Sequence, residues 1–124
     1  MSSRLSLTIG AVAAVLFGLG AIIAPAQMLS GFGLAAPSEA VVLSRDAGAT
    51  ILGLGVINWL ARDASGPLVR SILVGNVAVQ VLEIVVNGYE TATGALPAAG
   101  IAGIAIHAVL AVIFALPLVR PTRP

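Results

Sequence analysis

The chain contains no cysteine, which excludes disulfides, thiol redox chemistry, thiolate metal sites and any four-helix reductase built on a cysteine pair. Lysine is missing as well: all six basic residues are arginine, a bias that points to a GC-rich bacterial genome. Charge of either sign is scarce, at 9% of residues against 59% that are hydrophobic, and the mean hydropathy is +1.10. A soluble domain of this composition could not cover its surface with polar atoms, so lipid is its natural solvent. The net charge of +1 and the lack of a basic cluster exclude nucleic acid as a partner. With a single histidine, a transition metal has too few ligands. No phosphate loop, nucleotide fingerprint or nucleophile elbow occurs. Neither a metal nor a cofactor is expected.

What is present is four long apolar runs, over residues 5–24, 40–61, 68–87 and 97–119. Each is about the ~20 residues that a helix needs to cross a bilayer, and together they fill one domain of 124 residues. Short connections around Ser65-Gly66-Pro67 and Tyr89–Leu96 force antiparallel neighbours. The expected fold is therefore all-α, a transmembrane up-down-up-down four-helix bundle. Gln27–Pro37 reads as a turn or short interfacial segment, Ser38 as an N-cap with Glu39 in the first turn, and Gly88 as a C-terminal cap. Pro117 falls in the last turn of the fourth span.

Arg4, Arg62, Arg70, Arg120 and Arg123 fall on one side of this layout and only Arg45 on the other. By the positive-inside rule both chain ends face the cytoplasm of a bacterial inner membrane. A rival reading takes Arg4, the first apolar run and Ala24-Pro25-Ala26 as a cleavable signal peptide. That run exceeds the roughly 7–15 residues of a usual signal core. No internal repeat supports an inverted-repeat transporter.

The third span carries Asn76, Gln80, Glu83 and Asn87 among Val, Leu and Ile. At about 100° per residue these four share an arc of roughly 60°. A carboxylate facing hydrocarbon is costly, so the stripe is expected to face the bundle interior, leaving Val74, Val81 and Val85 outward. A hydrogen-bonded ladder that fixes helix register is the competing reading. In the second span Asp46, Thr50 and Gly53 share a stripe taken as the inward one, with Asn58 near its far end. Depth counting at about 1.5 Å per residue puts Arg45, Asp46 and Glu83 at similar levels, where they could meet. An arginine beside two carboxylates would suit proton handling or anion recognition. The alternative has Arg45 snorkelling to the headgroups and Asp46 at the interface.

His107 shares a stripe with Gly100, Gly103 and Ala111, which is expected to turn it inward toward Gln80 or Asn76. Trp59 reads as an interfacial aromatic. Small-residue pairs at Ala14 and Gly18, Ala49 and Gly53, and Ala99 and Gly103 read as packing seams within the chain, and would also serve a homo-oligomer.

The segment Ser44-Arg45-Asp46-Ala47-Gly48-Ala49-Thr50-Ile51-Leu52-Gly53-Leu54-Gly55-Val56-Ile57-Asn58-Trp59-Leu60-Ala61-Arg62 resembles a pattern of small four-span bacterial membrane proteins in the broad DoxX-like group. Arg45, Gly48, Gly53, Asn58 and Arg62 carry the match; Glu83 and His107 lie outside it. The resemblance implies a four-helix bundle with a polar interior and, in some members, an association with quinone-linked redox systems. It implies no catalytic residue.

Three functions remain open. The first is a bundle that binds a lipophilic small molecule, a quinone among the options, or a membrane partner, through Arg45, Asp46, Asn58, Asn76, Gln80, Glu83 and His107. The second is a membrane-embedded isomerase or cyclase with Glu83 or Asp46 as acid or base and His107 as its partner. The third is a small proton-coupled exporter that uses Glu83. Membrane lipids are the surroundings in every case.

Overall fold

A computed structural model of the chain describes residues 1–119, so Arg120 and Arg123 of the expected basic tail lie outside the described residues. The described chain is all helical: α1 (Ser3–Ile23), α2 (Pro25–Gly31), α3 (Ser38–Ala61), α4 (Gly66–Ala92) and α5 (Ile101–Ala115), the last preceded by one 3₁₀ turn (Ala98–Gly100). Four segments are long and apolar enough to cross a membrane: α1, α3, α4 and the Ala98–Ala115 stretch. The protein is a multi-pass membrane protein, and its spans form an up-down-up-down four-helix bundle.

Local chemistry sets most of the helix ends. Ser2 caps α1 by accepting a hydrogen bond from the Leu5 backbone N–H at 3.2 Å. Pro25 ends α1 and opens α2, which is the position where proline's missing N–H costs nothing. The connection after α1 is thus partly helical. Ser38 is the first residue of α3 and makes no capping bond; Pro37 occupies the cap position, its φ of −62° and ψ of 163° being extended. Glu39 does sit in the first turn.

The third span runs longer than its hydropathy pattern implied. Gly88 lies inside α4, and the stop comes at Thr93, followed by Gly94 with a φ of +77°. An internal glycine costs only about 1 kcal/mol. Polar side chains that bond back to this helix, Asn87 to the Glu83 carbonyl (2.8 Å) and Thr93 to that of Tyr89 (3.0 Å), accompany its continuation past Gly88. At the other extreme α5 stops at Ala115, short of 119, because Pro117 cannot donate to the helix ladder and disfavours helical geometry in the residue before it.

The bundle is built as two tight pairs, α1 with α3 and α4 with α5, that meet each other more sparingly. Glycine makes the first pair close. A Cβ added at Gly18 would stand 2.8 Å from the Gly48 carbonyl oxygen, and one at Gly55 would stand 3.2 Å from the Ala11 carbonyl oxygen. These register points run in opposite directions along the two helices, as antiparallel neighbours require. Lipid tails are as apolar as leucine, so close backbone packing of this kind supplies the attraction that burial supplies in water. The Ala14–Gly18 seam is therefore internal, whereas Gly53 has nothing within 4 Å of an added Cβ.

All four spans converge at the end that carries Arg4, Arg62 and Arg70. Leu7 (α1), Ala61 (α3), Val69 and Leu73 (α4) and Phe114 (α5) form one buried cluster there. The Phe114 ring occupies the space a side chain at Gly10 would need. Outside this cluster Asp63 is held by Arg4 at 3.1 Å and Arg62 at 3.5 Å, and the Arg62 guanidinium lies 3.7 Å from the centroid of the Trp59 ring. Both ion pairs involve exposed groups and add little stability.

Candidate functional site

A 4-3-4-3 spacing governs which face of each span turns inward. On α4 it runs through Val69, Leu73, Asn76, Gln80 and Glu83, apolar at the arginine-rich end and polar beyond; the first four are buried. Asn76 and Gln80 are only 2% and 5% exposed. Val74, Val81 and Val85 face outward, as the stripe requires.

Asn76 meets Asn58 of α3 in a reciprocal amide pair. Asn58 Nδ2 donates to Asn76 Oδ1 at 2.9 Å, and Asn76 Nδ2 donates to Asn58 Oδ1 at 2.7 Å. Asn76 Nδ2 also donates to the Ile72 carbonyl at 2.9 Å, which uses both of its hydrogens. A buried polar group needs such partners, most of all where water is absent. The pair consequently pins α3 to α4 at one depth.

One turn further along α4, Gln80 Oε1 lies 2.7 Å from Nδ1 of His107 on α5. An amide oxygen can only accept, so Nδ1 of His107 is the donor in this contact, and Nε2 is the ring nitrogen left for other partners. That nitrogen is 3.9 Å from Oε2 of Glu83. Asn87 donates to the same carboxylate oxygen at 3.3 Å, making it a neighbour of Glu83 along the helix.

Between the two helix pairs lies a cavity of about 310 Å³, at the lower end of the range for small-molecule sites. Asn58, Asn76, Gln80, Glu83 and His107 supply its polar wall, and α1, α3 and α5 supply apolar walls through residues such as Phe17, Ile51 and Ile106. Gly103 contributes open space beside His107, so the small-residue face of α5 turns to the cavity and to Phe32. Met28, Leu29 and Phe32 cover the end remote from the arginine-rich cluster.

Two expected members are elsewhere. The inward stripe of α3 is Ser44, Gly48, Ile51, Gly55 and Asn58, and the one expected from Asp46, Thr50 and Gly53 faces outward. The reason is steric: the close approach to α1 at Gly48 and Gly55 sets the rotation of the helix, and Asp46 lies away from that face. Arg45 is exposed and its Nε donates to the Ile22 carbonyl at 3.4 Å, at the end of α1. Arg45, Asp46 and Glu83 therefore form no cluster. Among the described residues no three His, Asp or Glu side chains converge.

The cover from α2 was not anticipated, although Met28, Leu29 and Phe32 are spaced i, i+1, i+4 and mark one apolar face. Ser44 was likewise readable from its 4-3-4-3 register with Asn58. No family model matches the chain, and no curated protein or solved structure does either.

Proposed function

We propose that this protein binds a lipophilic small molecule inside the bundle, in a bacterial inner membrane with both chain ends cytoplasmic. One observation carries the reading: a largely apolar cavity of about 310 Å³ is lined by polar side chains drawn from three different helices, Ser44 and Asn58 of α3, Asn76, Gln80 and Glu83 of α4, and His107 of α5. A purely structural ladder would join its members to one another. Asn58 joins Asn76 and Gln80 joins His107, but Glu83 and the Nε2 of His107 stand at the cavity with no hydrogen bond between them. The arginine-rich end and the resemblance to DoxX-like proteins support the location.

Density or native mass spectrometry of protein purified from its own membranes tests the proposal directly. A lipophilic molecule should co-purify with the unaltered chain and be lost from Ala47→Phe, which fills the cavity from α3. Equal retention by Ala47→Phe and by the unaltered chain would remove the cavity from consideration.

The 3.9 Å separation of His107 and Glu83 also favours a second reading, proton transfer on an apolar substrate. In that case one of the pair carries a proton and serves as the acid, His107 as imidazolium or Glu83 as the carboxylic acid, while the other serves as the base, and Asp46 takes no part. Turnover that survives replacement of both residues would eliminate it.

A further inference from the structure

Two hydrogen-bond acceptors face the cavity side by side. In its neutral form His107 spends its one hydrogen, on Nδ1, on Gln80, so Nε2 then presents a lone pair, and the Glu83 carboxylate stands 3.9 Å away. Among the described residues no arginine reaches this carboxylate: Arg45 bonds the Ile22 carbonyl, while Arg4 and Arg62 engage Asp63. Its side-chain donor is Asn87, at a long 3.3 Å. A carboxylate within a membrane span ordinarily pairs with a cation; here the side chain is 49% exposed and lines the cavity without one.

We infer that the ligand is a lipophilic organic cation, a primary or secondary ammonium whose N–H groups donate to Glu83 and to Nε2 of His107. This rests on the cavity reading above. A nitrogen about 2.8 Å from both acceptors would see them roughly 90° apart, near the angle between two of its own N–H bonds. The apolar remainder lies along walls that include Phe17 and Phe32, whose ring faces also suit positive charge.

Other head groups fit less well. A hydroxyl has one hydrogen and can satisfy one acceptor. A quaternary ammonium has the charge but no N–H. Carbonyl and carboxylate heads have nothing to donate, and the donors left for them on this wall are neutral amide N–H groups of Gln80 and Asn58.

The chain has one histidine, so ¹⁵N-histidine labelling reports His107 alone. The protein in lipid nanodiscs is titrated with n-octylamine, octyltrimethylammonium, n-octanol and octanoate. Octylamine should shift the Nε2 resonance saturably and bind about tenfold more tightly than any of the other three, as charge-assisted bonds outweigh neutral ones. Glu83→Gln should weaken octylamine about tenfold while the Nδ1 signal set by Gln80 persists. If octanol or octyltrimethylammonium matches octylamine on the unaltered chain and Ala47→Phe still blocks them, the cavity binds lipophiles and the cation assignment is wrong. Absence of any saturable shift, or shifts unchanged in Ala47→Phe, overturns both readings. The head-group ranking is measured on the unaltered chain, so a poorly folded Glu83→Gln could not rescue the assignment.

Discussion

The two ends of the bundle are built differently. At the arginine-rich end Leu7, Ala61, Val69, Leu73 and Phe114 join all four spans, and the Asn58–Asn76 pair sits just above them. Toward the other end the helix pairs leave a cavity covered by α2. A membrane bundle gains little from burying apolar groups, because the surrounding tails are apolar too. Stability must therefore be concentrated where side chains fit closely, which frees the other end to hold a ligand.

Truncation at the closed end should give the largest loss. Phe114→Ala leaves a void of about a phenyl ring where the spans meet, worth ~2–3 kcal/mol by the cavity term alone, since the unfolded chain also lies in lipid. Denaturant titration in mixed micelles measures it; a change below about 0.5 kcal/mol, the level of an ordinary surface substitution, would dissolve the contrast between the ends.

Next comes the glycine seam that sets the rotation of α3. Gly18→Leu must displace the α3 backbone and should cost roughly 1–3 kcal/mol, whereas Gly53→Leu enters open space and should stay within about 0.5 kcal/mol. Equal effects at the two positions would mean that α3 turns a different face to α1.

The amide pair should be worth less. A double-mutant cycle on Asn58→Leu and Asn76→Leu is expected to give a coupling of about 0.6 kcal/mol, with ~1.7 kcal/mol as the upper end for membrane pairs. Zero coupling would detach the pair from the closed end. Smallest of all is Asp46→Asn, which lies outside the cavity: stability should move by less than about 0.5 kcal/mol, and octylamine affinity in the nanodisc titration should be unchanged. A loss of affinity there would bring Asp46 back to the site.

Much of this architecture was legible in the linear chain. Asn76 and Gln80 announced the inward face of α4 because polar side chains cannot be left against hydrocarbon, whereas Glu83 on the same stripe lines the cavity but stays half exposed. The glycines around His107 pointed it inward toward Gln80 or Asn76, and the structure pairs it with Gln80. The inward face of α3 was misjudged, and the cause is physical: charged residues near the end of a span can reach the headgroups, so Asp46 carried no information about the interior. Gly48 and Gly55 did carry it, through spacing to Asn58.

Sequence alone determined that there are four spans and that α4 has a polar face, because hydrocarbon thickness sets helix length and desolvation penalises a misplaced amide or carboxylate. Only tertiary structure decided which helices pair, how α3 is rotated and where the interior stays open. Those choices depend on how closely particular backbones approach, which is a property of two surfaces in contact and is written in neither helix by itself.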